Sequence, residues 1–311
     1  MCGIFGLVGP AYRDSLREPA ARTLDHRGPD GFGSLEDHAQ QLYLAHCRLA
    51  VVDLSANAAQ PMATEDGSLT LVFNGEIYGF AELRSQLQSL GHRFRSSSDT
   101  EVVLHAYQQW GIDCLERLNG MFAFALWDRP RRRLHLVRDR LGIKPLYVAR
   151  SGSSLAFASE ARALLALSHF SRELDPSALV RYLLCSYVPG RQSIWQGIER
   201  LLPGHRLELD LESGQLSEHR WWQASTSSRA QSFEACYEQF SACFERCVAD
   251  ALVSDVPVGV FLSGGYDSSA IASAASQLSP RIHSFSVGFE GWEANETAAA
   301  RRTARQLGTT H

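Results

Sequence analysis

Apolar positions in the first half of the chain come in short runs rather than in helical stripes. IFGLVG (4–9), LYLAHCRLAVVDL (42–54), LTLVFNGEIY (69–78), FAFALWD (122–128), LHLVRD (134–139) and LAFASE (155–160) are rich in β-branched or aromatic residues and bounded by Gly, Asp, Ser or Pro. Such runs predict strands. Two stretches carry a helical pattern instead, AELRSQLQSLG (81–91) and DTEVVLHAYQQWG (99–111), each ended by a glycine as C-cap. Strands in runs with helices in runs predict a layered α+β domain in which helices cover antiparallel sheets.

The pattern changes further along. Residues 161 to about 230 read as connective, with a helix at PSALVRYLL (176–184) and a hairpin arm at VPGRQSIWQGIERLLPGHRLELDL (188–211). The serine-rich STSSRAQS (225–232) marks a boundary. Beyond it a helix, VPVGVFLSGG, a helix, IHSFSVGF and a helix alternate, the order expected of a parallel sheet wrapped by helices. Cys236, Cys243 and Cys247 share one face of FEACYEQFSACFERCVADAL with Phe240 and Phe244 and are expected to fill a core. Only two strand and helix pairs follow Asp255, and two parallel strands cannot bury both faces of a doubly wound sheet, so this second domain is expected to be incomplete.

Composition removes several function classes. The 311 residues fit about two domains, and 45% apolar content is enough for buried cores. With 30 basic and 34 acidic residues the formal charge is −4, which gives no field for nucleic acid or an anionic membrane. The run Arg131 to Arg133 follows Asp128 and Pro130 and reads as a solvated hairpin turn. No stretch approaches the roughly 18 apolar residues of a membrane helix, and no charged and apolar leader precedes Cys2, so a cytoplasmic protein is expected. Seven cysteines without CxxC pairs fit reduced thiols rather than a disulfide framework or a zinc site.

The candidate chemistry starts at MCGIFG. Removal of Met1 would leave Cys2 with a free α-amine beside its thiol, and an amine can serve as the base of a terminal nucleophile; a buried structural cysteine is the alternative. LVFNGEIY brings Asn74, Gly75 and Glu76 together, two neutral donors of the kind an oxyanion hole uses, although Asn-Gly is also a hairpin turn signal. Arg48 stands in an apolar run and suits a carboxylate, or else snorkels from a sheet edge. In SSSDTEVVL, Ser98 and Glu101 form a capping box and Asp99 is a first-turn acid. Taken together, Arg48 for a carboxylate, Glu76 and Asp99 for an ammonium, and Asn74 with Gly75 for an oxyanion suit a free amino acid with a side-chain carbonyl. Glutamine meets these demands.

MCGIFG, HRGPDG (26–31), RLAVVD (48–53), NGEIY (74–78), SDTEV (98–102), NGMFAFALWD (119–128), RDRLGIKPLY (138–147) and FASE (157–160) follow one another in an order that resembles the glutamine-hydrolysing asparagine synthetases. The resemblance implies an N-terminal-nucleophile glutamine amidotransferase domain of class II, an αββα sandwich over residues 2–210 with its connecting arm. The start of an α/β ATP-pyrophosphatase domain, of the adenine nucleotide alpha hydrolase type, would follow over 211–311. It implies Cys2 as nucleophile, Asn74 and Gly75 as oxyanion donors, Arg48 on the substrate carboxylate, Glu76 and Asp99 near its amine, and Leu49, Val51 and Val52 lining the pocket. No histidine is required, so His26, His46 and His105 are expected to be structural.

VFLSGGYDSSAIA places hydroxyls and free N–H groups where a strand meets a helix N-terminus, an anion site without the lysine of a Walker A loop. The stretch resembles the pyrophosphate loop of the ATP pyrophosphatases. That resemblance implies Ser263, Gly264, Gly265, Asp267, Ser268 and Ser269 around the phosphates, Asp267 as the residue for Mg2+, and Leu262 and Val287 against adenosine. Tyr266 departs from the leucine expected there, a change that bears on packing under the loop. The later acidic segment and catalytic lysine of the family have no counterpart in the sequence. The implied substrates are glutamine, aspartate and ATP with Mg2+, with no permanently bound cofactor, no nucleic acid and no membrane, and a homodimer as the assembly. Amidation of another carboxylate, a product with glutaminase activity only, and a non-catalytic glutamine-binding chain are the alternatives.

Overall fold

The computed structural model describes residues 1–225, 231–289, 291 and 295–311. It divides into two compact units, Met1–Ser225 and Thr226–His311. Most of the serine-rich boundary segment, residues 226–230, lies outside the described residues.

The first unit holds strands β1 (Gly3–Val8), β2 (Gly31–Asp37), β3 (Leu42–Arg48), β4 (Met62–Ala63), β5 (Leu69–Ile77), β6 (Gly120–Asp128), β7 (Arg133–Arg138), β8 (Tyr147–Ser151), β9 (Ser154–Ala158), β10 (Ile198–Arg200), β11 (His205–Asp210) and β12 (Leu216–Arg220). Its helices are α1 (Arg17–Arg22), α2 (Phe80–Ser89), α3 (Asp99–Trp110), α4 (Ala161–Leu165) and α5 (Pro176–Cys185). The strands form two six-stranded antiparallel sheets, ordered β10-β8-β9-β1-β3-β2 and β12-β11-β7-β6-β5-β4.

Side-chain alternation explains how these sheets stack. In β1 and β3, Ile4, Val8, Leu42 and Leu44 face one core while Phe5, Leu7, Tyr43, Ala45 and Cys47 face another. In β6, Ala123, Ala125 and Trp127 face the first of these, and Phe122, Phe124 and Leu126 the opposite side. The core shared by both sheets lies between them. The outer cores are closed by α1 and α4 on the first sheet and by α2 and α3 on the second, which makes the αββα sandwich. Each central strand is buried on both faces, and for that reason it reads as a continuous apolar run instead of an alternating one.

Several local expectations change in three dimensions. The run 42–54 does not continue as strand past Arg48; Leu49–Leu54 leaves the sheet, with Asp53 at φ +54°. Residues 188–211 fold back only locally, where Gln192 bridges Glu199, and do not extend into a single hairpin arm. β10 pairs with β8 in one sheet and β11 with β7 in the other, because the turn at Gly204, φ +66°, sends the chain from sheet to sheet. The Arg131–Arg133 segment does close the β6–β7 hairpin, with Arg131 paired to Asp128 at 2.8 Å. The capping box is altered: Ser98 accepts from the Thr100 N–H, while the Glu101 carboxylate reaches further back, to the N–H groups of Arg95 and Ser96.

The second unit contains α6 (Phe233–Ala251), β13 (Gly259–Phe261), α7 (Tyr266–Leu278), β14 (His283–Phe285) and α8 (Thr297–Leu307). β13 and β14 pair in parallel, as the alternation predicts, around a small core of Val248, Val260, Leu262, Ala272, Ala275, Ile282, Ala300 and Ala304. Cys236, Cys243 and Cys247 are exposed, as are Phe240 and Phe261, so the expected cysteine core is not formed among the described residues. Helical periodicity shows which residues share a face but not whether anything packs on it. Among the described residues no helix is long and apolar enough to cross a membrane.

Candidate active site

Six stretches of the first unit converge on one cavity of about 210 Å3, around residues 1–2, 48–60, 73–76, 98–100, 121 and 144. This volume suits a ligand of amino-acid size, below the usual range for drug-sized molecules. The nine residues expected around glutamine all line it: Cys2, Arg48, Leu49, Val51, Val52, Asn74, Gly75, Glu76 and Asp99. Met1, Gln60, Ser98, Thr100, Met121 and Lys144 line it as well.

Cys2 immediately precedes β1. The Leu49 N–H points at its Sγ from 3.4 Å, and its carbonyl accepts from Arg27 Nε at 3.0 Å. Arg27 is itself held by Glu160 at 2.9 Å, and Asp30 accepts the Ala50 N–H at 2.8 Å. The HRGPDG segment thus braces both the cysteine and the loop over it, a role its sequence did not reveal. Burial pushes the Cys2 thiol up, against the lowering effect of the Leu49 N–H and the terminal amine. A nearby base is therefore required for attack at neutral pH.

Asn74 and Gly75 are inside β5, paired with Ala123 and Phe122 of β6, and do not form a turn. A Cβ at Gly75 would meet the Met121 carbonyl oxygen at 2.4 Å and Phe122 Cα at 2.7 Å, so only glycine allows the two strands to approach here. Asn74 is fully buried, and neither its Nδ2 nor its Oδ1 has a hydrogen-bond partner among the described residues. Buried amides are nearly always satisfied, so an orphaned one in a cavity wall is suited to a ligand.

Glu76 continues the same strand, and Asp99 opens α3. The Asp99 carboxylate accepts the Ile77 N–H at 2.9 Å, which ties helix to strand. Burial raises Glu76 to about 7, and the neighbouring Asp99 adds to the rise. Burial likewise raises Asp99 to about 6 despite its N–H partners. Two carboxylates lining one cavity attract a cation. Arg48 ends β3 with its guanidinium donating to the carbonyls of Ser55, at 2.8 Å, and Asp53, so the loop that leaves the sheet also orients it.

His26, His46 and His105 do not line the cavity. His46 is buried between the sheets, with Nε2 3.2 Å from the Phe73 carbonyl, and burial lowers it to about 3. Sequence reasoning missed Lys144, which is 5% exposed and reaches the cavity from the loop after β7. A lysine inside the apolar LGIKPLY was the signal available.

In the second unit the SGGYDSS loop caps α7. Ser263 and Ser268 hydroxyls stand 2.9 Å apart, and Gly264, at φ +88°, has Ala299 where a Cβ would sit. Leu262, Ser263, Ser268 and Val287 line one cleft, whereas Asp267 lines a separate groove with Tyr237 and Phe240. Gly264, Gly265 and Ser269 line neither. Ser269 donates its N–H to the Gly265 carbonyl at 3.1 Å, inside the first turn. Tyr266 is 97% exposed, so it does not alter packing beneath the loop. Exposed hydroxyls at the start of a 13-residue helix fit a phosphate chain, and among the described residues no cluster of three metal-ligating side chains exists.

A glutamine amidotransferase domain matches residues 1–222, and an asparagine synthase domain matches residues 239–311. Asparagine synthetase [glutamine-hydrolyzing] 3 of Bacillus subtilis is 37% identical over 93% of this chain and 48% of its own length. Asparagine synthetase [glutamine-hydrolyzing] 1 of the same organism is 33% identical over 99% of this chain and 49% of its own. The chain thus spans about half the length of these curated relatives. Glutamine phosphoribosylpyrophosphate amidotransferase from B. subtilis, solved with ADP and GMP, shares the fold at TM-score 0.52 and 20% identity, over 93% of this chain and 67% of that one. The allosteric regulatory enzyme of purine biosynthesis does so at 0.54 and 19%, over 94% and 66%. With its two-sheet sandwich and a domain match spanning residues 1–222, the chain belongs to the glutamine amidotransferase domain family, followed by an asparagine synthase segment.

Proposed function

We propose that the chain hydrolyses glutamine at Cys2 and uses the ammonia for ATP-dependent conversion of aspartate to asparagine, with release of AMP and pyrophosphate. The observation that carries the first half is the orphaned Asn74 amide, fully buried in a cavity that also holds a thiol, a guanidinium and two carboxylates. With Met1 removed, the α-amine of Cys2 takes the thiol proton as sulfur attacks the glutamine amide carbon. Asn74 and the Gly75 N–H hold the oxyanion, the amine returns the proton to departing ammonia, and water hydrolyses the glutamyl thioester. Arg48 binds the substrate carboxylate, while Glu76 and Asp99 bind its ammonium.

The second half rests on the asparagine synthase match, the names of the relatives and the serine loop. Ser263, Ser268 and the α7 N–H groups would bind phosphates, with Leu262 and Val287 against the adenosine, while Asp267, the acid expected on Mg2+, lines a separate groove. Magnesium would supply charge neutralisation of the phosphates. The test has two readouts. Glutamate release without ATP is expected in the wild type, with mass showing Cys2 as the first residue, and is expected to vanish in Cys2→Ala. Glutamine-dependent AMP release is then compared with aspartate and with other carboxylates. Equal glutamate release by C2A would overturn the first half, and preference for another acceptor would overturn the second.

A further inference from the structure

Arg48 is assigned to the substrate carboxylate, which leaves Lys144 as a second cation in the cavity wall with no part in that chemistry. A buried ammonium is costly unless it balances opposite charge. Its backbone is held unusually firmly. The Asp139 carboxylate accepts the N–H groups of Phe122 at 3.2 Å, Leu141 at 3.0 Å, Ile143 at 2.9 Å and Lys144 at 2.9 Å. From the other side, Arg138 donates to the carbonyls of Lys144 at 2.8 Å, Gly142 at 2.7 Å and Leu201 at 2.6 Å. One carboxylate gathers the amides and one guanidinium gathers the carbonyls, so the 139–144 loop presents its lysine in a fixed place. Preorganisation of this kind usually supports a site.

We propose that Lys144 is a positioning residue of the glutamine site, its ammonium serving as the counter-charge that favours the ionised form of Glu76 beside Asp99 for the substrate's α-ammonium. The inference rests on the glutamine reading above. Lys144, Glu76, Asp99 and Cys2 line one cavity; the charges that act on Glu76 are those of Asp99 and Lys144, and those that act on Lys144 are Glu76, Arg27, Cys2 and Asp139. Asp99 and burial both favour a proton on Glu76, whereas Lys144 opposes it. A protonated Glu76 has no charge to offer an ammonium. Lys144 therefore acts on glutamine affinity through Glu76, and most strongly at the acid side of neutrality.

The experiment is the pH profile of glutamine hydrolysis by the full chain, for wild type, Lys144→Met, Lys144→Arg, Glu76→Gln and the K144M/E76Q double variant. An opposite charge in such a cavity lowers a carboxylate by about one unit or more. K144M is therefore expected to move the acid limb of kcat/KM about one pH unit upward, a loss of about tenfold at pH 6.5 carried by KM and closing above pH 8.5. K144R keeps the wild-type limb. E76Q loses the part of the limb carried by KM, the part set by the Cys2 α-amine remaining in kcat, and adding K144M to it costs less than about twofold. An unmoved limb in K144M, a loss equal at every pH, or failure of arginine to rescue would overturn the role. Should K144M not fold, a KM-borne acid limb that persists in E76Q overturns it independently. A wild type that turns over no glutamine at any pH removes the glutamine reading itself, and a turning-over wild type with an unchanged K144M profile removes this inference alone.

Discussion

Replacing Asn74 with alanine separates function from stability in a way few core changes do. In an ordinary buried site, truncation loses packing and leaves a void, at a cost of about 2–5 kcal/mol for a large side chain. Asn74 differs on both counts. Its amide is fully buried with both polar atoms unpartnered among the described residues, so the folded state carries a desolvation penalty of about 1–3 kcal/mol that alanine removes. It also borders an existing cavity, so truncation enlarges open space instead of creating a sealed void. The expected result is a protein as stable as the wild type, or about 1 kcal/mol more so, which for a unit of this size is a rise in Tm of about 2–4 °C. Hydrolysis should move the other way. Loss of one oxyanion donor costs about 10²–10³ in kcat, with KM nearly unchanged because the donor meets the charge only as it develops. Calorimetry and steady-state glutamate release measure the two sides on one preparation. A variant destabilised by more than about 1 kcal/mol with kcat within tenfold of wild type would refute the assignment, since Asn74 would then be a structural residue.

Two other changes follow from the same geometry. Glu76 rises to about 7 in the folded chain against an ordinary 4.5, so between these values the folded state holds more protons than the unfolded one and stability falls as pH rises. Glu76→Gln lacks that loss; discounted for partial exposure, it should gain about 1–2 kcal/mol over wild type at pH 8 and little at pH 4.5, read from melts at both values, and a pH-independent difference would contradict it. Asp139→Ala strands four N–H groups now bound to one buried carboxylate, and should cost about 3 kcal/mol or more in urea unfolding, with Asp139→Asn recovering part; a loss below about 1 kcal/mol would show that the loop does not depend on it.

The strands of the sandwich were legible because burial on both faces makes each an apolar run, and the two long helices because Gly91 and Gly111 end them. The kinds of residue that suit glutamine were legible too, since thiol, guanidinium, carboxylate and amide are properties of single side chains. Local pattern misled where a long-range partner decided the outcome. RLAVVDL is as apolar as a strand, yet it leaves the sheet to orient Arg48; Asn-Gly has the composition of a turn, yet β6 holds it extended. The amphipathic face of α6 predicted a core that the described residues do not form. Lys144 had no local signal beyond an odd charge, because its burial depends on Arg138 and Asp139 gathering a loop around it. Periodicity and side-chain chemistry act within a few residues, so the chain alone determines them. Which of those groups share one cavity depends on strand register and sheet stacking across more than a hundred residues, and only the packed fold sets that.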